Sequence, residues 1–107
     1  MNIKIYRPFG FSLKGIRENN EDCIFPERGN AAPESSFFIV CDGVGGASRG
    51  EVASKIACES FAEYFQKPFS GEISKEYLAK GLAFVEDALN LYINKNPQAK
   101  GMATTLT

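Results

Sequence analysis

Apolar and polar residues follow two rhythms along this chain, alternating in its first part and recurring at three- and four-residue steps later. Ile3 and Ile5 alternate with Asn2 and Lys4, the period of a half-buried strand over residues 1–6. Phe9, Phe11 and Leu13, set among Pro8, Gly10 and Gly15, predict a second short strand. A polar block, residues 17–22, precedes the apolar segment Cys23, Ile24 and Phe25. Residues 26–36 contain Gly29, Asn30 and Pro33 and predict a loop, which joins 23–25 to 37–41 as an antiparallel pair. The period then changes. Val52, Ala53, Ile56, Ala57, Phe61, Tyr64 and Phe65 mark one amphipathic helix, stopped by Pro68. Leu78, Leu82, Val85, Leu89, Tyr92 and Ile93 mark another over 74–96, with Pro97 after it. Residues 101–107 are β-branched again and predict a strand. Strands, two helices and a strand, in that order, predict an α+β layered domain.

The two halves meet at one stretch. Phe37 to Cys41 is apolar and strand-favouring, Asp42 stands at its predicted end, and Gly43, Gly45 and Gly46 follow. Glycine weakens a strand interior, so three together imply either positive φ or close approach of the backbone to something. Ser48 and Glu51 have the spacing of a capping box, which starts the first helix. An acid delivered to a glycine turn ahead of a helix has the look of a site.

Composition narrows what that site can do. The chain has 107 residues, 44% of them hydrophobic, enough for one domain with a core. Twelve basic and thirteen acidic residues leave a net charge of −1, no footprint for nucleic acid or a membrane surface. No apolar run is long enough to span a bilayer, and the N-terminus lacks the continuous apolar stretch of a signal peptide. Three cysteines, Cys23, Cys41 and Cys58, without Cys-x-x-Cys spacing, point to a reduced cytoplasmic protein. Histidine is absent, which removes Ser-His-Asp and Cys-His catalysis and the usual His-containing zinc sites. Carboxylates, arginine or lysine, backbone groups and a hard metal remain.

If the strands around 23–25 and 37–41 are neighbours, Glu21, Asp22 and Asp42 converge at one end of the sheet. Converging carboxylates repel unless a cation neutralises them, and oxygen ligands favour magnesium or manganese over zinc. The carbonyl of Gly43 is a candidate to complete such a shell. The plainer alternative leaves Glu21 and Asp22 as solvated turn residues and Asp42 as a turn cap. Arg17 offers a planar fork for phosphate, or pairs with Glu18 or Glu21 on the surface. A strand, glycine turn and helix also open dinucleotide-binding folds. There the match fails, because Ser48 occupies the third glycine position and the region around Glu63, where an acid should end a second strand, is helical.

Taken together, four pieces resemble the metal-dependent PPM/PP2C serine/threonine phosphatases, particularly their bacterial branch. They are the runs 15–22 (GIRENNED), 38–46 (FIVCDGVGG), 50–54 (GEVAS) and 101–106 (GMATTL), in the family's order. The resemblance runs from about Gly15 to the last residue and covers the N-terminal part of such a domain. It implies that residues 1–107 are an incomplete portion of a four-layer αββα sandwich, here about five strands and two helices. It also implies hydrolysis of phosphomonoesters by metal-activated water at a binuclear Mn/Mg centre. In that likeness Asp42 bridges both metals, Gly43 lends its carbonyl, Glu21 lies at the second metal and Asp22 supports it. Arg17 holds the substrate phosphate, and the partner is a phosphoserine or phosphothreonine protein. Val44 stands where some eukaryotic members carry histidine. Further metal-binding aspartates belong to the family's C-terminal part, and Asp87, the one aspartate after Asp42, fits no such motif. The expectation is therefore half an active site: a fragment that binds metal weakly, shows little activity alone and self-associates. A non-catalytic partner-binding module that keeps the first half of the fold is the alternative.

Overall fold

Strand β2 (Ile39–Val44) buries Ile39, Cys41 and Gly43 and exposes Val40, Asp42 and Val44, the period-two pattern of a sheet covered on one face. In the computed structural model, which describes residues 1–4, 6–27, 37–46, 49–66 and 72–107, this strand is central. β1 (Asp22–Phe25) lies antiparallel on one side and β3 (Ala103–Thr104) antiparallel on the other, giving the order β1-β2-β3. Pairing continues past the end of β3: Val40 and Thr107 exchange both backbone hydrogen bonds, at 2.8 and 2.9 Å.

Helix α1 (Arg49–Gln66) covers the buried face. Its inward positions Ala53, Ala57, Cys58 and Ala62 are small, so the helix lies close to the sheet and packs against Ile39 and Cys41. Helix α2 (Lys75–Lys95) runs along α1. Ser74 starts it, its Oγ accepting from the Tyr77 N–H at 3.1 Å. Its end is closed by Asn96, whose N–H donates to the carbonyls of Tyr92 and Ile93. Gly81 lets the two helices approach, since a Cβ there would stand 2.9 Å from the Phe61 ring. An aromatic chain binds the layers at one end: Phe25 stacks on Phe37 at 5.3 Å between centroids, Phe37 meets Phe65 at 5.4 Å, and Phe65 meets Phe61 at 4.8 Å. Each such pair contributes about 0.5–1.5 kcal/mol beyond its burial.

The α+β class and both helices match the sequence pattern, and the strand number does not. Three strands are present among the described residues instead of about five. Residues 1–4 and 6–13 form no strand, although they alternate; Ile5 lies outside the described residues. Alternation makes a strand only where a sheet edge is available to complete the ladder, and Ile3, Phe9, Phe11 and Leu13 stay largely exposed instead. Residues 8–11 lie beside Ile24 and Phe38 and wall an apolar pocket of about 380 Å³. Strand β2 also begins later and ends later than 37–41, so Asp42 is inside the strand and not at its end. Ser48, Pro68 and the loop beyond residue 27 lie outside the described residues; α1 begins at Arg49 and has Glu51 in its first turn.

Among the described residues, the opposite face of the sheet is only partly covered, residues 8–11 lying against Ile24. Phe38, Val40 and Val44 are 51%, 50% and 63% exposed. The radius of gyration is 15.4 Å, above the roughly 13 Å of a compact domain this long. The described fold is one three-stranded sheet with α1 on its buried face and α2 beside α1.

Candidate active site

Register places the acids. Asp22 is the direct cross-strand partner of Asp42. The neighbouring hydrogen bond, Gly43 N–H to the Glu21 carbonyl at 3.0 Å, makes 21/43 the bonded pair and 22/42 the non-bonded one. At non-bonded positions opposing Cα atoms are about 4.5 Å apart and side chains are closest. Like charges directly opposite destabilise a sheet, yet both aspartates are exposed on the same face. Glu21, one residue earlier, belongs to the other side of the pleat and enters from the strand's edge.

Arg17, Glu21, Asp22 and Asp42 line one polar pocket of about 200 Å³ with Lys14 and Asn20. Arg17 gets there through a turn: Gly15 adopts φ +63°, a left-handed conformation that suits glycine, and the Arg17 N–H reaches the Lys14 carbonyl at 3.4 Å. Among the described residues Arg17 forms no ion pair with Glu18 or Glu21. Gly43 is buried and lies outside the pocket wall.

Side chains that the sequence pattern did not single out hold these groups in place. Asn20 accepts from the Asp22 N–H at 3.0 Å and donates to Ser12 Oγ at 2.7 Å, an Asx turn at the entrance of β1. The Asp42 main chain is gripped from β3, its N–H donating to Thr105 Oγ1 at 3.0 Å and its carbonyl accepting from Thr104 Oγ1 at 3.1 Å. Asp87 is exposed on α2, as a solvated helix residue.

The glycines act by close approach, not by positive φ. A Cβ on Gly43 would collide with the Gly50 carbonyl and stand 2.8 Å from the Glu21 carbonyl oxygen. Gly45 is tight against Arg49, whereas Gly46 faces open space.

The donors present suit a hard divalent ion in kind, being carboxylate oxygens without a histidine or paired thiolates. In number they supply part of a shell: among the described residues no three acidic, cysteine or histidine groups already form a cation site.

Behind the sheet's buried face, Cys23 and Cys41 are cross-strand partners and Cys58 of α1 packs in the same cluster; all three are free thiols. A hydrogen bond with Cys58, reinforced by burial, raises the Cys23 pKa. Cys58 is pulled down by Cys23, but Cys41 and burial outweigh this and it is pushed up to about 12.

The site thus sits on a three-stranded antiparallel sheet backed by two helices, with an aspartate of the central strand paired to one of its neighbour. The sequence model of the protein phosphatase 2C family matches residues 18–107, and the chain belongs to that family. Its structure is similar to the crystal structure of the Mycobacterium tuberculosis serine/threonine phosphatase PstP/Ppp, with a TM-score of 0.69 and 27% identity. That match covers 86% of this chain and 36% of PstP/Ppp, so the chain spans about a third of the length of its solved relative. None of the curated proteins matches.

Proposed function

We propose that this chain is the N-terminal portion of a metal-dependent serine/threonine phosphoprotein phosphatase and carries one half of its active site. The observation that carries this reading is the direct pairing of Asp22 with Asp42 in a pocket shared with Glu21 and Arg17, in a chain of the protein phosphatase 2C family. On this reading Glu21, Asp22 and Asp42, with the Gly43 carbonyl, hold manganese or magnesium. Such ions acidify water and neutralise phosphoryl charge when bound. Arg17 binds the substrate phosphate through its guanidinium fork and orients the phosphorus over the carboxylates. Lys14, on the same wall, adds a second positive charge for the phosphate. The substrate is a phosphoserine or phosphothreonine protein, a reading supported by the likeness to PstP/Ppp, a serine/threonine phosphatase. A cytoplasmic setting, with three free thiols, belongs to the same proposal.

The test is manganese-dependent hydrolysis of an aryl phosphate. The isolated 107-residue chain should turn over little, because its donors make only part of a shell. A chain extended to a complete domain should hydrolyse it, and Arg17→Ala should chiefly raise KM. Robust turnover by the isolated chain overturns the half-site reading; an extended chain without activity overturns the phosphatase reading and favours a partner-binding module.

A further inference from the structure

We propose that Gly50, the second residue of α1, is a positioning residue for the metal-binding pocket, a role that rests on the reading above. Two groups meet at its Cα. A Cβ at Gly50 would stand 2.9 Å from the Glu21 carboxyl carbon and 2.9 Å from both the carbonyl carbon and the oxygen of Gly43. Real Cβ atoms do not come that close, so any side chain at this position must displace the Glu21 carboxylate, the Gly43 carbonyl or the helix itself. The same contact is tight from the other side, because a Cβ at Gly43 would collide with the Gly50 carbonyl.

Gly43 and Gly50 are thus a backbone-on-backbone seat between the end of β2 and the first turn of α1. Gly50 is fully enclosed there, and Gly43 is fixed by its hydrogen bond to the Glu21 carbonyl. The seat defines where the Glu21 side chain can go. Glu21 leaves β1 on the side of the pleat that faces α1, away from Asp22 and Asp42. Glu21 is one of the residues lining the polar pocket, and its carboxyl carbon lies against the bare Cα of Gly50. Its carboxylate also lies in the first turn of α1, where unpaired N–H groups and the helix dipole favour negative charge. Gly50 therefore holds two proposed ligands, one side chain and one carbonyl, without touching the metal.

A matched control exists in the same molecule. Gly81 is equally tight, a Cβ being 2.9 Å from the Phe61 ring, but it belongs to the contact between α1 and α2, away from the pocket. The Kd of Mn2+ is measured by water-proton relaxation for wild type, Gly50→Ala and Gly81→Ala, with thermal unfolding of each. Gly50→Ala should weaken Mn2+ binding about tenfold or more, as losses of supporting groups do. Gly81→Ala should lower stability and leave Kd unchanged. A folded Gly50→Ala with wild-type Kd, or an equal loss in both variants, overturns the positioning role. No Mn2+ binding by wild type, either as the 107-residue chain or extended to a complete domain, overturns the proposed function itself. Should Gly50→Ala not fold, the wild-type chain decides by nuclear Overhauser contacts: Glu21 Hγ to Gly50 Hα is expected, and its absence overturns the proposal.

Discussion

Replacing Asp42 by Asn should stabilise the metal-free chain. Asp22 and Asp42 face each other at a non-bonded position, where Cβ atoms are about 5 Å apart. Two unit charges at that distance repel by about 0.8 kcal/mol in a water-like dielectric. At a Debye length of about 8 Å, near physiological salt, roughly half of this survives. Asn keeps the side-chain shape and the backbone bonds to Thr104 and Thr105, so little else changes. Lys14 and Arg17 on the same pocket offset part of the repulsion. The net gain is then about 0.3 kcal/mol, a rise in Tm of about 1–2 °C. At about 1 M salt, where the Debye length falls to about 3 Å, it should vanish. Added Mn2+ should reverse the order: at ten times its Kd it stabilises wild type by about 1.4 kcal/mol, and Asp42→Asn much less. Thermal melts in EDTA and in Mn2+, at low and high salt, make the measurement. An Asn variant no more stable than wild type without metal, or one that gains as much from Mn2+, refutes the reasoning.

Gly43→Ala should cost about 3 kcal/mol, the upper range for overpacking, because the atoms it meets are backbone. Gly46→Ala, which meets nothing within 4 Å, should be neutral or stabilising by up to about 1 kcal/mol; urea melts of the pair check both. Ser74→Ala removes the acceptor of the Tyr77 N–H and should cost about 1 kcal/mol, with the loss of hydrogen-exchange protection confined to the start of α2. The folded chain's Cys23 and Cys58 should react slowly with iodoacetamide at neutral pH, since thiolate is the nucleophile and both pKa values are raised. A folded pKa above the usual 9.0 for Cys58 means its contribution to stability is full below pH 9 and is lost as pH rises toward about 12. Mass-spectrometric labelling with and without urea, at stepped pH, follows it.

Much of this fold is legible in the sequence, and the remainder is not, for physical reasons. The helical periodicities and the boundary residues Ser74 and Asn96 are local signals, and α2 obeys them. The pairing of 23–25 with the following strand is equally legible, because two apolar segments flank a stretch containing Gly29, Asn30 and Pro33. Residues 1–13 misled because alternation is necessary for a strand and not sufficient; the ladder also needs an edge, which no local pattern reports. Asp42 looked terminal because glycine disfavours strand interiors, yet Gly43 is inside β2 to let α1 touch it. Arg17, Glu21, Asp22 and Asp42 were visible as residue types, while Asn20, Thr104, Thr105 and Gly50 work through contacts across the fold. Only Asn20, an Asx residue just ahead of a strand, carried a usable local signal.

The central claim is that Glu21, Asp22 and Asp42 serve one divalent cation site. Titrating the 15N-labelled chain with Mn2+ tests it most directly, since the paramagnetic ion broadens the amides nearest to it. The account predicts that the amides of Glu21, Asp22, Asp42 and Gly43 broaden together and first, and that excess Mg2+ restores them. Broadening scattered over the exposed acids of α2, such as Glu86 and Asp87, with the sheet amides unaffected, would contradict it.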